Sequence, residues 1–572
     1  MNSRLRGNDN QKILNIKSYI RATLQEFVKS KGLDAEAVKI IIERPKDEGN
    51  GDYSTNLAMV ISKQLKKNPK ETAEEICYYF NNLPPSGGGW RGVSKTEPAG
   101  PGFLNIWVND DYYRNVLNII LKDSVLYGKL DINSGKTANL EWVSANPTGP
   151  LHLGHGRQVA LGKAVANLLE WSGYEVTREY YYNDAGNQME NLSKSVYARY
   201  REMYETGFPF PEDGYVGDYV IEIAKLIKDE YSDKLILDPD NPVFRTAGEN
   251  YCFKSIKNTL HRFGINHDVF YNESSLYESG KIKETLEDFK NKGLSYEQEG
   301  AVWLKTSELL KDKKEAQDKV IVKSTGEPTY RLPDMVYHID KIKRGFEMVV
   351  DIFGADHGDT YKEVLAGVAG LGYDPSKIKV IIHQMVTFVQ DGKPVKMSKR
   401  SGNVYELDDL LDDVGEDVAQ FFFVMRSANT HLDFDIGLAK EQSDKNPVFY
   451  LQYAHARICG ILRNAAEVFP EYNKGVNADF NLLKEKEELD LMKALSLFPD
   501  VVEGAYKTLE PHKIITYLNE AAENYHKFYH NHRVINKENP ELSYARLKLC
   551  EAARIVLRNG FDIIGIKAPE RM

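Results

Sequence analysis

Between residues 137 and 182 a short apolar run, a glycine- and proline-rich loop, a helical stretch and a second β-rich run follow one another. Leu140 to Val143 reads as a buried strand, Leu161, Val165, Leu168 and Leu169 recur at helical spacing, and Glu175 to Tyr182 reads as the next strand. Strands joined through a helix lie parallel with the helix on a sheet face, so this βαβ unit predicts a parallel sheet. Strand and helix signals continue to about Ile382. A chain of 572 residues is too long for one core, and at roughly 100 to 200 residues per domain several domains are expected.

The rest of the chain divides around that sheet. The first hundred residues carry two helical stretches and end in Gly100-Pro101-Gly102-Phe103, a turn into a strand-like run, which predicts a small separate α+β domain. Pro84 to Gly89 reads as an exposed loop. Residues 189–302 are charged and tyrosine-rich, with breaks at Phe208 to Gly214 and Asp238 to Pro242, and read as an insertion into the sheet domain. Beyond about Ala439 helices dominate. Ile515, Leu518, Ala522, Tyr525 and Tyr529 form one apolar stripe, and Cys550, Ala553 and Leu557 form another that stops at Gly560, a helix C-cap by its residue type. The expected class is therefore α/β, with domains at 1–112, 113–438 and 439–572, the last an all-α bundle.

Composition excludes more than it identifies. No apolar run reaches the roughly 18 residues of a membrane span, and Ile13, Ile16, Ile20, Leu24 and Phe27 have helical spacing rather than a signal-peptide core. Cys77, Cys252, Cys459 and Cys550 lie too far apart for a C-x-x-C metal site and are too few for a disulfide framework, so no resident metal and a cytoplasmic setting are expected. The formal charge of −10 leaves room for a local basic face.

Two segments carry chemistry. The loop Ser144 to Leu151 delivers His152-Leu153-Gly154-His155-Gly156 to the start of the next helix, where free N–H groups and the helix dipole favour an anion. There Gly154 and Gly156 would allow close approach of a phosphate, and the histidines could donate to it. Equally, the pair could simply be satisfied by the helix backbone. Lys393 to Asn403 gathers four basic groups with serines and glycine after a strand, a loop suited to a polyphosphate. Lys396 and Lys399 are its best candidates for stabilising charge that develops at an α-phosphate. A solvated basic turn is the plainer alternative for that loop alone. Val349 to Gly354 reads as a buried strand ending beside Asp356 and His357, at a crevice where open sheets bind nucleotides; a helix N-cap is the other reading of Asp356.

The two segments in this order, on a sheet domain followed by a bundle, resemble the signature motifs of class I aminoacyl-tRNA synthetases. Glu141-Trp142-Val143-Ser144-Ala145-Asn146-Pro147, Tyr182-Asn183-Asp184-Ala185-Gly186, Asn446 to Arg457 and the ending Ala568-Pro569-Glu570-Arg571-Met572 are similar to the arginyl-tRNA synthetase family in particular. The resemblance extends to Gly49-Asn50-Gly51-Asp52-Tyr53 and so covers nearly the whole chain.

That resemblance implies a Rossmann-like catalytic domain, an N-terminal domain that touches the tRNA elbow, and an anticodon-binding bundle. It implies ATP-dependent attachment of L-arginine to tRNA(Arg) through an arginyl-adenylate, with Mg2+ accompanying ATP, transfer to the 2′-hydroxyl, and a chain acting as a monomer. ATP would meet His152, Gly154, His155, Gly354, Asp356, His357, Lys396, Met397, Ser398 and Lys399. Arginine would meet Tyr330, Asp334 and Glu273 at its guanidinium, where carboxylates can pair in plane. Asn146 would meet its backbone end, and Glu141 would join Asn146 or brace the loop. Asn183 and Asp184 either form a turn or line the pocket. Tyr450, Tyr453, His455 and Arg457 offer aromatic and basic groups to tRNA bases, with core packing the plainer reading of each tyrosine.

Rival readings remain. A noncatalytic tRNA-binding paralogue would not need both phosphate-handling segments, and a small-molecule adenylyltransferase would not need the bundle. A synthetase of another amino-acid specificity is the nearest alternative.

Overall fold

The computed structural model describes residues 16–82, 92–184, 186–310, 317–355, 358, 360–395, 405–472 and 475–572. The expectations placed on Pro84 to Gly89, Asp356, His357 and Lys396 to Lys399 lie outside the described residues. The fold forms two compact units: Met1–Gly128 with Arg457–Asp500 and Glu520–Leu557, and Lys129–Ala456 with Val501–Asn519 and Arg558–Met572.

In the first unit, the helix Ile16–Ser30 buries Ile16, Ile20, Leu24 and Phe27, the stripe expected from their spacing. The helix Pro69–Asn81 starts with proline at its first turn and with the Asn68 side chain accepting from Lys70 N–H at 2.9 Å. The helix Pro69–Asn81 packs on an antiparallel sheet of β1 (Ile42–Glu43), β2 (Tyr53–Thr55), β3 (Val93–Ala99) and β4 (Phe103–Val108), in the order β1-β2-β4-β3. The N-terminal segment does not stand alone. Asp52 pairs with Lys493 at 3.0 Å, and Tyr127 donates to the Leu495 carbonyl at 3.1 Å, joining it to part of the helical bundle.

The second unit is built on β5 (Thr137–Glu141), β6 (Glu175–Tyr182) and β7 (Val269–Asn272) and, after an antiparallel trio of β8 (Ser295–Gln298), β9 (Ala301–Leu304) and β10 (Lys319–Val322), on β11 (Met348–Gly354) and β12 (Ile378–His383). Five of these form one all-parallel sheet, in the order β12-β11-β5-β6-β7. The strand order reverses between β5 and β11. At such a switch point the carboxyl ends of neighbouring strands open into a crevice, the usual nucleotide position in open α/β sheets.

Two expectations need correction here. Residues 189–302 are not one continuous insertion, because Val269–Asn272 returns to the sheet as β7 beside β6. The part that leaves the sheet includes the helices Asn187–Glu202, Asp218–Tyr231 and Pro242–Arg262, which bury their own apolar cluster of Leu192, Val196, Tyr200, Ile223 and Phe244. Nor is Gly560 a helix cap. The helix Pro540–Ile564 runs through it, and the left-handed residue that follows the helix is Gly565, with φ of 79°. A Cβ at Gly560 would lie 2.5 Å from Leu518 Cδ2, so close packing of two helices explains the glycine. Of the apolar stripe, Ile515, Leu518, Ala522 and Tyr525 are buried and Tyr529 emerges at the surface.

A ribbon completes this unit: β13 (Val386–Gln390) pairs antiparallel with β14 (Lys393–Pro394) and parallel with β15 (Leu432–Asp435). Lys396 lies two residues beyond β14 in the sequence.

Candidate active site

Strand β5 ends at Glu141, and within two residues the chain turns through left-handed backbone at Val143 and Ser144, with φ of 70° and 45°. Such values are unfavourable for a β-branched residue, and side chains hold them in place. Ser144 Oγ donates to Glu141 Oε1 at 2.9 Å and accepts the Tyr181 N–H at 3.2 Å. Tyr180 donates to the Ala145 carbonyl at 2.7 Å, Tyr219 to the Thr148 carbonyl at 2.6 Å, and Asn146 Nδ2 to Gln188 at 2.7 Å. The loop is thereby steered to deliver His152.

His152 caps the helix Leu153–Trp171. Its Nδ1 accepts the Gly154 N–H at 3.1 Å, while His155 Nδ1 accepts the His152 N–H at 3.2 Å. The plainer possibility, histidines satisfied by helix backbone, is therefore realised at one nitrogen of each ring. Burial lowers both pKa values, that of His155 to about 3 with help from His152. A neutral ring whose Nδ1 accepts carries its proton on Nε2, so each imidazole is a fixed donor at its other edge. The rings lie 3.9 Å apart.

Gly154 sits under the His152 ring, where a Cβ would approach to 2.8 Å. Gly156 does not open space for a ligand. A Cβ there would lie 2.5 Å from Phe423 Cζ, so its missing side chain admits a neighbouring helix.

Beneath the crevice lies a buried ionic floor. Glu141 and Asp351 are register partners on β5 and β11, two like charges that would repel. Lys341 resolves this from the helix Arg331–Lys343, with Nζ 2.6 Å from both Glu141 Oε2 and Asp351 Oδ1. His338 Nε2 lies 3.0 Å from Asp351 Oδ2, and its Nδ1 lies 2.7 Å from the Asp334 carbonyl. A carbonyl and a carboxylate both require a donor, so His338 carries both protons and a positive charge. Its pKa is raised: burial alone would lower it, and Asp351 more than reverses that. Two cations thus balance two carboxylates.

Asp334 is left over from that balance. Burial raises its pKa to about 7; the charges of Glu141 and Glu273 add to the rise and His338 opposes it. Glu273 follows β7, accepts from Tyr181 at 3.0 Å, and is likewise raised, chiefly by burial. The short helix Ser274–Glu278 after it is held by Asp184, which accepts from Ser274 N–H at 3.1 Å and from Ser274 Oγ at 2.6 Å. Asp184 therefore serves the turn, and its charge acts on Glu273 as well. Buried Glu273 and half-buried Asp334, carboxylates in excess of local cations, form a site for an incoming cation.

The other candidates scatter. The Tyr330 ring is 79% exposed, one turn before Asp334, whose N–H donates to the Tyr330 carbonyl at 3.2 Å. Gly354 is the last residue of β11 and is paired with His383 of β12. Tyr450 and Tyr453 are half-buried on the helix Pro447–Val468, Tyr453 stacking on Phe449. His455 is 2% exposed, with Nδ1 2.8 Å from the Pro569 carbonyl, so it anchors the chain end and is withdrawn from any surface contact. Arg457 lies over the Tyr529 ring in a cavity of about 610 Å³ lined also by Asn464, His526 and Arg533.

Lys341, His338, Asp351 and Tyr181 were missed by sequence reasoning. Two signals were available. Asp334, His338 and Lys341 share one helix face by their spacing, and Asp351 is a lone charge in an apolar strand. Among the described residues, no group of three or more His, Cys, Asp or Glu is placed to hold a metal ion.

The sequence matches three families: Arginyl tRNA synthetase N terminal domain over residues 14–108, tRNA synthetases class I (R), catalytic domain over 115–430, and DALR anticodon binding domain over 451–572. It is 47% identical over 539 residues to the arginine–tRNA ligase of Desulfotalea psychrophila, covering 94% of this chain and 96% of that protein. It is 44% identical over 563 residues to that of Chlorobaculum tepidum, covering 97% and 100%. The arginyl-tRNA synthetase of Thermus thermophilus shares the fold, with a TM-score of 0.74 at 21% identity over 97% of this chain and 99% of that one.

Proposed function

This chain belongs to the arginyl-tRNA synthetase family and catalyses ATP-dependent attachment of arginine to tRNA(Arg), and on that premise we propose how its own residues divide the work. ATP lies in the crevice between β5 and β11, against His152, Gly154, His155, Gly354, Asp356 and His357, with Lys396, Met397, Ser398 and Lys399 on its phosphates. Arginine lies with its guanidinium on Asp334 and Glu273, Tyr330 beside it and its backbone end on Asn146. Glu141 acts beneath, bracing Ser144 and sharing Lys341 with Asp351.

The reciprocal histidine cap is the observation that carries the phosphate assignment. It commits Nδ1 of each ring to the backbone and leaves Nε2–H as a neutral, preorganised donor. The arginine carboxylate attacks the α-phosphate in line, pyrophosphate leaves, and the terminal 2′-hydroxyl of tRNA then attacks the acyl carbon of the adenylate, releasing AMP. Mg2+ bound to ATP as part of the substrate would spread the phosphate charge. The chain contributes position and fixed donors, with no covalent bond formed to the enzyme.

For tRNA we propose residues 1–112 at the elbow, 113–438 as catalytic domain and 439–572 at the anticodon. Arg457 lines a cleft in the last of these, and Tyr450 and Tyr453 offer partly exposed rings. We assign the chain as a monomer and place it in the cytoplasm. Among the described residues no helix is long and apolar enough to cross a membrane.

Pyrophosphate exchange across all amino acids, with and without tRNA(Arg), tests the reading. Arginine alone should support exchange, and Lys396→Ala and His155→Ala should each slow it roughly 10²- to 10³-fold. Full rates in both variants would remove the phosphate assignment.

A further inference from the structure

Arg157 is fully buried, two residues beyond His155, and among the described residues no carboxylate pairs with it. Burying an unpaired guanidinium is unfavourable, and burial lowers its pKa to about 10. Carbonyl dipoles compensate. Nη1 donates to the Gln384 and Thr430 carbonyls, each at 2.8 Å, and Nη2 donates to the Ser427 carbonyl at 2.9 Å.

The three acceptors are clustered. Gln384 lies between β12 and β13, and Ser427 and Thr430 form the turn that leads into β15. β13 and β15 pair from Val386 and Leu432 onward, so all three carbonyls lie at the foot of one ribbon. Gln384 N–H donates to the Ala428 carbonyl at 2.9 Å and closes that foot on itself. The phenylalanine core of the ribbon, Phe388 against Phe434, is apolar and gives it no directional tie to the helix Leu153–Trp171.

We propose that Arg157 is a positioning residue for adenylate formation, fixing the foot of the β13–β15 ribbon to the helix start that carries His152 and His155. This rests on the assignment of those histidines to phosphate. Adenylate formation needs donors arriving on the polyphosphate from two segments that are distant in sequence, and one guanidinium sets the spacing between their supports. The planar fork is essential. Lysine has its donors on a single nitrogen and cannot span three carbonyls from one fixed plane. Transfer of arginine from the adenylate to tRNA takes place after pyrophosphate has left and does not depend on that spacing.

The two half-reactions separate positioning from stability. Full-length Arg157→Lys keeps a buried cation but loses the fork, while Thr430→Gly loosens the acceptor turn from the surface. Adenylate formation is followed by pyrophosphate exchange with tRNA(Arg) present, and transfer is followed by rapid quench with synthetic arginyl-adenylate. Arg157→Lys should slow adenylate formation about a hundredfold, the scale of a misplacement of about 1 Å. Thr430→Gly should slow it in the same direction by less, with arginine KM and the transfer rate near wild type in both. Wild-type adenylate formation in either folded variant, or an equal fall in both half-reactions, overturns the proposal. His155→Ala run in parallel identifies the failure. If it keeps full exchange, the phosphate assignment has failed; if it loses exchange while Arg157→Lys does not, only the role of Arg157 has failed.

Discussion

His155 Nδ1 accepts the main-chain N–H of His152 at 3.2 Å, and this single contact fixes which nitrogen carries the ring proton. Capping and donation then belong to different edges of one side chain. An asparagine has an oxygen near the Nδ1 position and nothing near Nε2. His155→Asn should therefore keep a melting temperature close to wild type while losing adenylate formation by roughly 10²- to 10³-fold. Thermal unfolding beside pyrophosphate exchange checks this; a variant that is unstable but fully active per folded molecule would refute it.

Asp334 gives the pH dependence. Its pKa is near 3.8 in the unfolded chain and about 7 in the folded one. Between those values the folded state holds a proton that the unfolded state has released, so arginine-free stability falls as pH rises through the window. A guanidinium favours the ionised carboxylate, so stabilisation by arginine should grow over the same window and be complete above it. Asp334→Asn should raise the melting temperature of the arginine-free protein above about pH 7 and weaken arginine binding about 30-fold or more, about 2 kcal/mol. Arginine titrations followed by thermal shift across pH decide both signs.

Lys341 makes a different prediction, since it holds two carboxylates that face each other across neighbouring strands. Lys341→Met should cost about 3–5 kcal/mol in denaturant unfolding, because it strands both charges in the interior. Adding Asp351→Asn should return part of the loss. If the two substitutions add independently, the three groups do not act as one unit.

Gly560 separates packing from capping. Gly560→Ala brings a methyl to 2.5 Å from Leu518 Cδ2 and should destabilise by about 1–3 kcal/mol. Leu518→Ala should cost less in that variant than with Gly560 in place, as judged by chemical denaturation. A helix cap would be indifferent to residue 518.

What the sequence made legible follows from how local each signal is. The strand Glu175–Tyr182 and the helix after His152 were readable because their residues repeat with the period of the element. β7 was not, since Val269–Asn272 is four half-buried residues among charged neighbours and only β6 identifies it as a strand. His455 reads as one of the groups the bundle offers to tRNA, and the Pro569 carbonyl that withdraws it arrives from 114 residues away. The ionic floor was hidden for the same reason: nothing local marks Lys341 as buried, and β5 and β11, which close over it, are set by the sheet. Motif chemistry could be read from the chain, whereas the charge balance of the pocket depends on which strands become neighbours.

The strand order also sets a timetable for synthesis. β5 needs β11 on one side and β6 on the other, and more than two hundred residues separate β5 from β11. While the chain emerges from the ribosome, the helix bearing His152 and His155 can form long before the partner strand exists that buries Glu141. Glu273 must wait for β7, and Asp334 and Lys341 for the helix after β10. The histidine cap is thus laid down first, and Glu273, Asp334 and Lys341 come together only when the later strands dock. Long-range pairing of this kind folds slowly and leaves strand edges open meanwhile. A nascent chain arrested before residue 348 therefore presents the open edge of β5, where β11 would pair, to whatever else is nearby.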